Sequence, residues 1–173
     1  VVSELPSDFP YPVILVQHMP GTFTAAFAER LDKHSQLKVK LAVDNERLEK
    51  GTAYLAEGGK QMQIAGRGAF AKLNIVETPK GSTFVYHPCI DFTMESLVSA
   101  FSGDILSVIL TGMGSDGAAG SSLLKATGAT IWAQDEKSSV VYGMPKAVVE
   151  SGICDRVISL ENIAQHIITE MSL

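Results

Sequence analysis

Three short runs constrain the fold of this chain most: Pro12-Val13-Ile14-Leu15-Val16-Gln17, Ile105-Leu106-Ser107-Val108-Ile109-Leu110 and Ala129-Thr130-Ile131-Trp132-Ala133. Each is apolar nearly throughout instead of alternating with polar residues. Strands of that kind are buried on both faces, as in parallel sheets covered by helices. Helical patterns lie between them. Thr22 is placed to cap a helix whose face carries Phe23, Phe27 and Leu31. Ile90, Met94, Leu97, Val98 and Phe101 fit one face of a second helix, ending near Gly103. A third follows residue 120 and ends near Gly128. Pro145 and Gly152 bracket a short one. Ser159 caps a last one using Leu160, Ile163, Ile167 and Met171.

Leu37–Leu41 alternates and reads as a half-exposed strand, and Arg156–Ile158 as a short final one. From Gly51 to Val85, short candidate strands at Ala53–Leu55, Gln61–Ile64 and Ala71–Val76 are punctuated by glycine pairs and Pro79-Lys80-Gly81. That region reads as a hairpin-rich excursion at one edge of the sheet. The expected class is α/β: a doubly wound, mainly parallel sheet flanked by helices, a Rossmann-like three-layer sandwich, with the hairpin excursion over 51–85.

At 173 residues the chain is expected to be one domain, 1–173. Its net charge of −5 and lack of a basic cluster argue against nucleic-acid binding. No apolar run approaches the roughly 20 residues of a membrane span, so no membrane insertion is expected. Cys89 and Cys154 are far apart and lack a metal spacing, which suggests reduced thiols and a cytoplasmic protein. The start, Val1-Val2-Ser3-Glu4, has no Met and no signal-peptide pattern, as in a piece of a longer chain.

Open α/β sheets place their sites beyond the carboxyl ends of strands. His18 follows the first apolar run. Thr111-Gly112-Met113-Gly114-Ser115-Asp116-Gly117-Ala118-Ala119-Gly120 follows the second. A loop His and a loop Asp on one rim suit the base and orienter of a nucleophilic hydrolase. The amides of Met113 and Gly114, ahead of a helix, suit an oxyanion hole. Plainer readings stand beside these: His18 as a structural residue, Asp116 as a cap on the helix that follows it. His87 and one of Gln134-Asp135-Glu136 are further candidates for the rim; His34 and His166 fall on helices and read as solvated. No Gly-x-Ser-x-Gly elbow is present, and Ser3, Ser115 and Ser121 lack the setting of a nucleophile. Cys89, just before a helix start that would lower its pKa, is the minor alternative.

Val16-Gln17-His18-Met19-Pro20, Ile109–Gly120 and Ala133-Gln134-Asp135-Glu136…Val141-Tyr142-Gly143-Met144-Pro145 resemble, in order, the motifs of the catalytic domain of the chemotaxis protein-glutamate methylesterase, CheB. Ala53-Tyr54-Leu55-Ala56 and His87-Pro88-Cys89-Ile90-Asp91 resemble its intermediate segments, so the resemblance covers essentially the whole chain. It implies hydrolysis of glutamate methyl esters, and in many members deamidation of glutamines, on the cytoplasmic helices of methyl-accepting chemoreceptors. It implies a Ser-His-Asp triad with no metal or cofactor: His18 as general base, Asp116 as orienter, and the Gly112-Met113-Gly114 turn at the oxyanion and substrate, with the Met113 amide as donor.

The pattern is departed from in three ways. The family's serine lies in a G-A-S-T-G-G string upstream of the segment resembling Leu5–Pro10, on a strand that would be central in the sheet. The family's receiver domain has no counterpart here. His87-Pro88-Cys89 stands where the family often has Arg-Pro-Ser. The expectation is therefore an esterase domain lacking its N-terminal serine segment and inactive as written. The alternative is a non-catalytic remnant that keeps a receptor-binding surface.

Overall fold

The computed structural model describes residues 1–171. Each apolar run becomes a strand: β1 (Val13–Leu15), β6 (Leu106–Ile109) and β7 (Thr130–Gln134). With β2 (Lys38–Leu41), β3 (Thr52–Leu55) and β8 (Arg156–Ile158) they build two parallel three-stranded sheets, ordered β1-β3-β2 and β6-β7-β8. The register sets Leu15 and Leu41 against Leu55, and Ile109 against Ala133. β4 (Gln61–Ala65) and β5 (Lys72–Val76) form an antiparallel hairpin. Among the described residues five α-helices flank the strands: α1 (Gly21–His34), α2 (Ile90–Phe101), α3 (Ala118–Ala126), α4 (Met144–Glu150) and α5 (Leu160–Met171). The α/β class and the hairpin are as expected. The single sheet is resolved into two, because β1 and β6 are each an edge strand.

Two further expectations are corrected. Ala53-Tyr54-Leu55 does not belong to the hairpin excursion: β3 is the central strand of its sheet and all four of its residues are buried. The Tyr54 hydroxyl can be buried there because it donates to the Arg47 carbonyl and accepts the Glu49 N–H. The second correction concerns α1, which starts at Gly21 and buries Thr24 and Ala28 in place of its phenylalanines. Thr24 satisfies its own hydroxyl on the Gly21 carbonyl at 3.0 Å, so a small polar residue can be buried there. Phe23 is left 62% exposed. With Met19, Ala26, Phe27 and Arg30 it lines a shallow groove of about 400 Å³.

The core is divided by the helices. Tyr54, Met62, Ile64 and Leu73 pack under α2's Ala100, while Ile90, Met94, Leu124, Ile131 and Val148 join α2, α3 and α4 to β7. Val16, just past β1, touches both clusters. Ile167 of α5 likewise touches the Leu5–Leu37–Val39 cluster under the first sheet and the Trp132–Ile158 cluster under the second. The two sheets are thus tied through shared helices, and the carboxyl ends of β1 and β6 come together at the site.

Candidate active site

His18 and Asp116 lie 98 residues apart in sequence and meet directly, His18 Nε2 to Asp116 Oδ2 at 2.6 Å. The carboxylate is 6% exposed and saturated with donors. Oδ2 also accepts the Ile90 N–H at 2.8 Å, and Oδ1 accepts the Asp91 N–H at 3.0 Å and the Cys89 thiol at 3.2 Å. Ile90 and Asp91 open α2, so Asp116 satisfies two of the N–H groups that a helix start leaves unpaired. It is a helix cap and a histidine partner at once, and the helix it caps is α2, not the α3 that follows it.

Asp91 returns the arrangement. Its Oδ1 accepts the Gly117 N–H at 3.0 Å and the Gly120 N–H at 2.6 Å, at the start of α3. Each acid therefore caps the other's helix. Burial pushes Asp116 up, but the N–H groups of Asp91 and Ile90, then His18 and Cys89, outweigh it and hold the carboxyl below the ordinary aspartate value. For Asp91, burial and the adjacent Asp116 charge outweigh its two N–H donors and push it up.

With Nε2 on Asp116, the other ring nitrogen of His18, Nδ1, is left for a reacting group. Among the described residues no serine hydroxyl bonds to it. One face of the imidazole is covered by Tyr86, whose ring stacks on it at 4.1 Å between centroids and 9° between planes. The ring edge opens on a cleft of about 410 Å³ lined by His18, Met19, Gly59, Val85, Tyr86 and His87, among others.

The glycine-rich loop stands on the second rim. Its base is pinned: Thr111 N–H donates to Gln134 Oε1, Gly112 N–H to the Val141 carbonyl, and the Gly112 carbonyl accepts from Gly143 and Met144. The approach is so close that a Cβ on Gly143 would lie 2.8 Å from the Gly112 oxygen and 2.9 Å from the Gly114 nitrogen. Gly112 N–H is thus committed to holding the loop and is no oxyanion donor. Among the described residues the N–H groups of Met113 and Gly114 donate to no protein acceptor. Gly114 has φ of +89°, open to glycine at no steric cost, and turns the chain there.

Several sequence candidates are placed differently from their reading. Gln134 is fully buried and braces Thr111 from below, its amide donating to the Ser138 carbonyl. His87 is exposed on the cleft wall. The Cys89 thiol is buried and points at a carboxylate. Burial, then the Asp116 bond and charge, push it up to about 12 against the Phe92 N–H, so it is a thiol donor and not a nucleophile. Three contributors had gone unrecognised: Tyr86, Asp91 and Gln61. Gln61, 1% exposed, donates to the Tyr86 carbonyl and accepts the Cys89 N–H, both at 2.8 Å. Asp91 had a legible signal, an acid in the first turn of a helix; Tyr86 and Gln61 had none.

The family model of the CheB methylesterase matches residues 1–167. Relatives named protein-glutamate methylesterase/protein-glutamine glutaminase are 50% identical in Pseudoalteromonas atlantica and 52% in Idiomarina loihiensis, each over 99% of this chain. The corresponding protein of Vibrio cholerae, numbered 1, is 49% identical over all of it. The chain spans less than half the length of these relatives, 45%, 44% and 45%. The crystal structure of the Thermotoga maritima CheB methylesterase catalytic domain superposes with a TM-score of 0.91 at 36% identity, over 98% of this chain and 88% of that one. A match across nearly all of its residues, in sequence and in fold, makes the chain a member of the CheB methylesterase family.

Proposed function

We propose that residues 1–173 form most of a single catalytic domain that hydrolyses glutamate methyl esters on the cytoplasmic helices of chemoreceptors, in the cytoplasm. Deamidation of receptor glutamines is the companion reaction. The observation that carries this reading is the 2.6 Å His18–Asp116 contact, made by a carboxylate that two helix N–H groups keep ionised.

In the mechanism, a serine Oγ attacks the ester carbonyl while His18 Nδ1 takes its proton. Asp116 fixes the tautomer with the proton on Nε2 and stabilises the imidazolium. The Met113 and Gly114 amides receive the oxyanion. Collapse breaks the C–O bond, and the imidazolium proton leaves with methanol. Water then attacks the acyl-serine with His18 again as base, restoring serine and releasing the glutamate carboxylate.

The serine is carried by a segment outside the described residues. β1 and β6 both present an unpaired parallel edge, and their carboxyl ends lead to His18 and Asp116. A parallel strand seated between them would bring its own carboxyl end to Nδ1. The 173 residues alone are then expected to turn over no ester at the enzyme's rate. A receiver domain, as in the full-length family, would regulate the site. Methanol release from methylated receptor by the full-length protein is the test. His18→Gln is expected to abolish release with the fold intact, and unchanged release would remove His18 from the mechanism.

A further inference from the structure

Three loops converge on one aromatic ring that the mechanism above does not use. Tyr86 lies flat on His18 at 4.1 Å. The far end of its ring reaches the glycine-rich loop, its hydroxyl 3.0 Å from where a Gly114 Cβ would stand. Its backbone is anchored on the third side: buried Gln61 bonds the Tyr86 carbonyl and the Cys89 N–H, and Gly59 N–H bonds the His87 carbonyl at 2.9 Å. The same strap ends at Cys89 and Ile90, which bond Asp116.

A single hydrogen bond at Nε2 leaves an imidazole free to swing about that bond. A ring stacked on its face removes the freedom, since near-parallel aromatic pairs favour one plane. His18 is then fixed on two sides, the Nε2 edge by Asp116 and one face by Tyr86, with Nδ1 presented to the cleft. We infer that Tyr86 is the positioning residue of His18, acting through the face of its ring and not through its hydroxyl. This rests on the esterase reading for its kinetic consequence, while the placement of the imidazole is testable without turnover.

The test has a spectroscopic and a kinetic arm. In the wild-type protein the ring-proton resonances of His18, assigned with His18→Gln, should lie upfield of those of exposed His34, because the stacked phenol shields them. The displacement should persist in Tyr86→Phe and vanish in Tyr86→Leu. In the full-length enzyme Tyr86→Phe should keep kcat within about twofold, and Tyr86→Leu should lose between about 10- and 100-fold in kcat with KM changed far less, as for a misplaced catalytic group. Unshifted His18 resonances in the wild type would overturn the proposal even if the leucine variant failed to fold. So would equal loss of kcat in both variants, or none in Tyr86→Leu. If His18→Gln itself kept full turnover, the esterase reading would fall, and the wild-type resonances would still decide the placement of the ring.

Discussion

Replacing Asp116 separates its two duties, because alanine removes both and asparagine only one and a half. The carboxylate accepts from Ile90, Asp91, Cys89 and His18. In Asp116→Ala the first two N–H groups of α2 lose their acceptor in a buried setting. Each unsatisfied buried donor costs about 1–3 kcal/mol, and loss of a helix cap costs about 0.5–2 kcal/mol. These overlap, since they describe the same bonds, so the expected loss is about 3–5 kcal/mol. For a chain of this size that lowers Tm by about 6–20 °C.

Asp116→Asn keeps one acceptor oxygen. If its amide faces His18, Ile90 N–H is left without a partner and Nδ1 is forced to carry the imidazole proton, which destroys the base. If it faces the other way, Asp91 N–H loses its acceptor. In both orientations the negative charge opposite the imidazolium is gone. The stability loss is then about 1–3 kcal/mol, one donor's worth, while turnover falls by about 10⁴-fold, the scale of the same change in a Ser-His-Asp triad. Thermal melts of both variants, with methanol release by the full-length enzyme, read the two effects apart. An asparagine variant that recovers activity along with stability, or an alanine variant that melts like the wild type, would refute the reasoning.

The depressed carboxyl of Asp116 gives that stability a pH window. Its folded value lies below the ordinary 3.8, so the contribution is present above 3.8 and is lost as pH falls through the folded value. The gap between wild type and Asp116→Asn in urea unfolding should be widest near neutrality and narrow below that point; a gap unchanged at about pH 3 would contradict it. Cys89, pushed up to about 12, should stay unmodified by iodoacetamide at neutral pH in the folded protein and react once unfolded, by peptide mass spectrometry; Cys89→Ser should keep turnover. Gly143→Ala should cost about 1–3 kcal/mol by forcing backbone apart, and should lower turnover by moving the Gly114 amide. Gly112→Ala should also cost stability, since its Cβ would stand 2.2 Å from the sulfur of the buried Met144.

The strands could be read from sequence as apolar runs, although of the three runs only β7 is buried nearly throughout, while β1 is half-buried and β6 alternates, each at the edge of its sheet. Which strand pairs with which could not, and Ala53-Tyr54-Leu55 shows why. Its apolar triplet marks a strand, but its place between β1 and β2 depends on residues 14 and 40 positions before Tyr54, Lys40 and Ile14. The α1 face was misread for a related reason. Periodicity weights phenylalanine over threonine, yet a threonine that bonds the carbonyl three residues back is cheap to bury, and of the expected face Leu31 does pack on the core. At the site, His18 and Asp116 were legible because polar groups at strand ends stand out. Tyr86 was not, because a stacking contact leaves no local pattern.

The exchange of caps between Asp116 and Asp91 explains how a loop rich in glycine can hold the carboxylate of the proposed triad still. A loop acid fixed only by its own loop would share that loop's freedom. Asp116 is fixed instead by two amides of α2, a twelve-residue helix whose N-terminal dipole also favours its charge. The cost falls on Asp91, which burial and the Asp116 charge push toward protonation. Asp91 in turn binds Gly117 and Gly120, so the loop is clamped at its far end while Gly143 and Val141 clamp its base. Between those two clamps lie Met113 and Gly114, whose amides are free to take a developing negative charge. Rigidity at both ends and unpaired donors in the middle suit the proposed oxyanion site. That is why the glycines are dense here without leaving the loop loose.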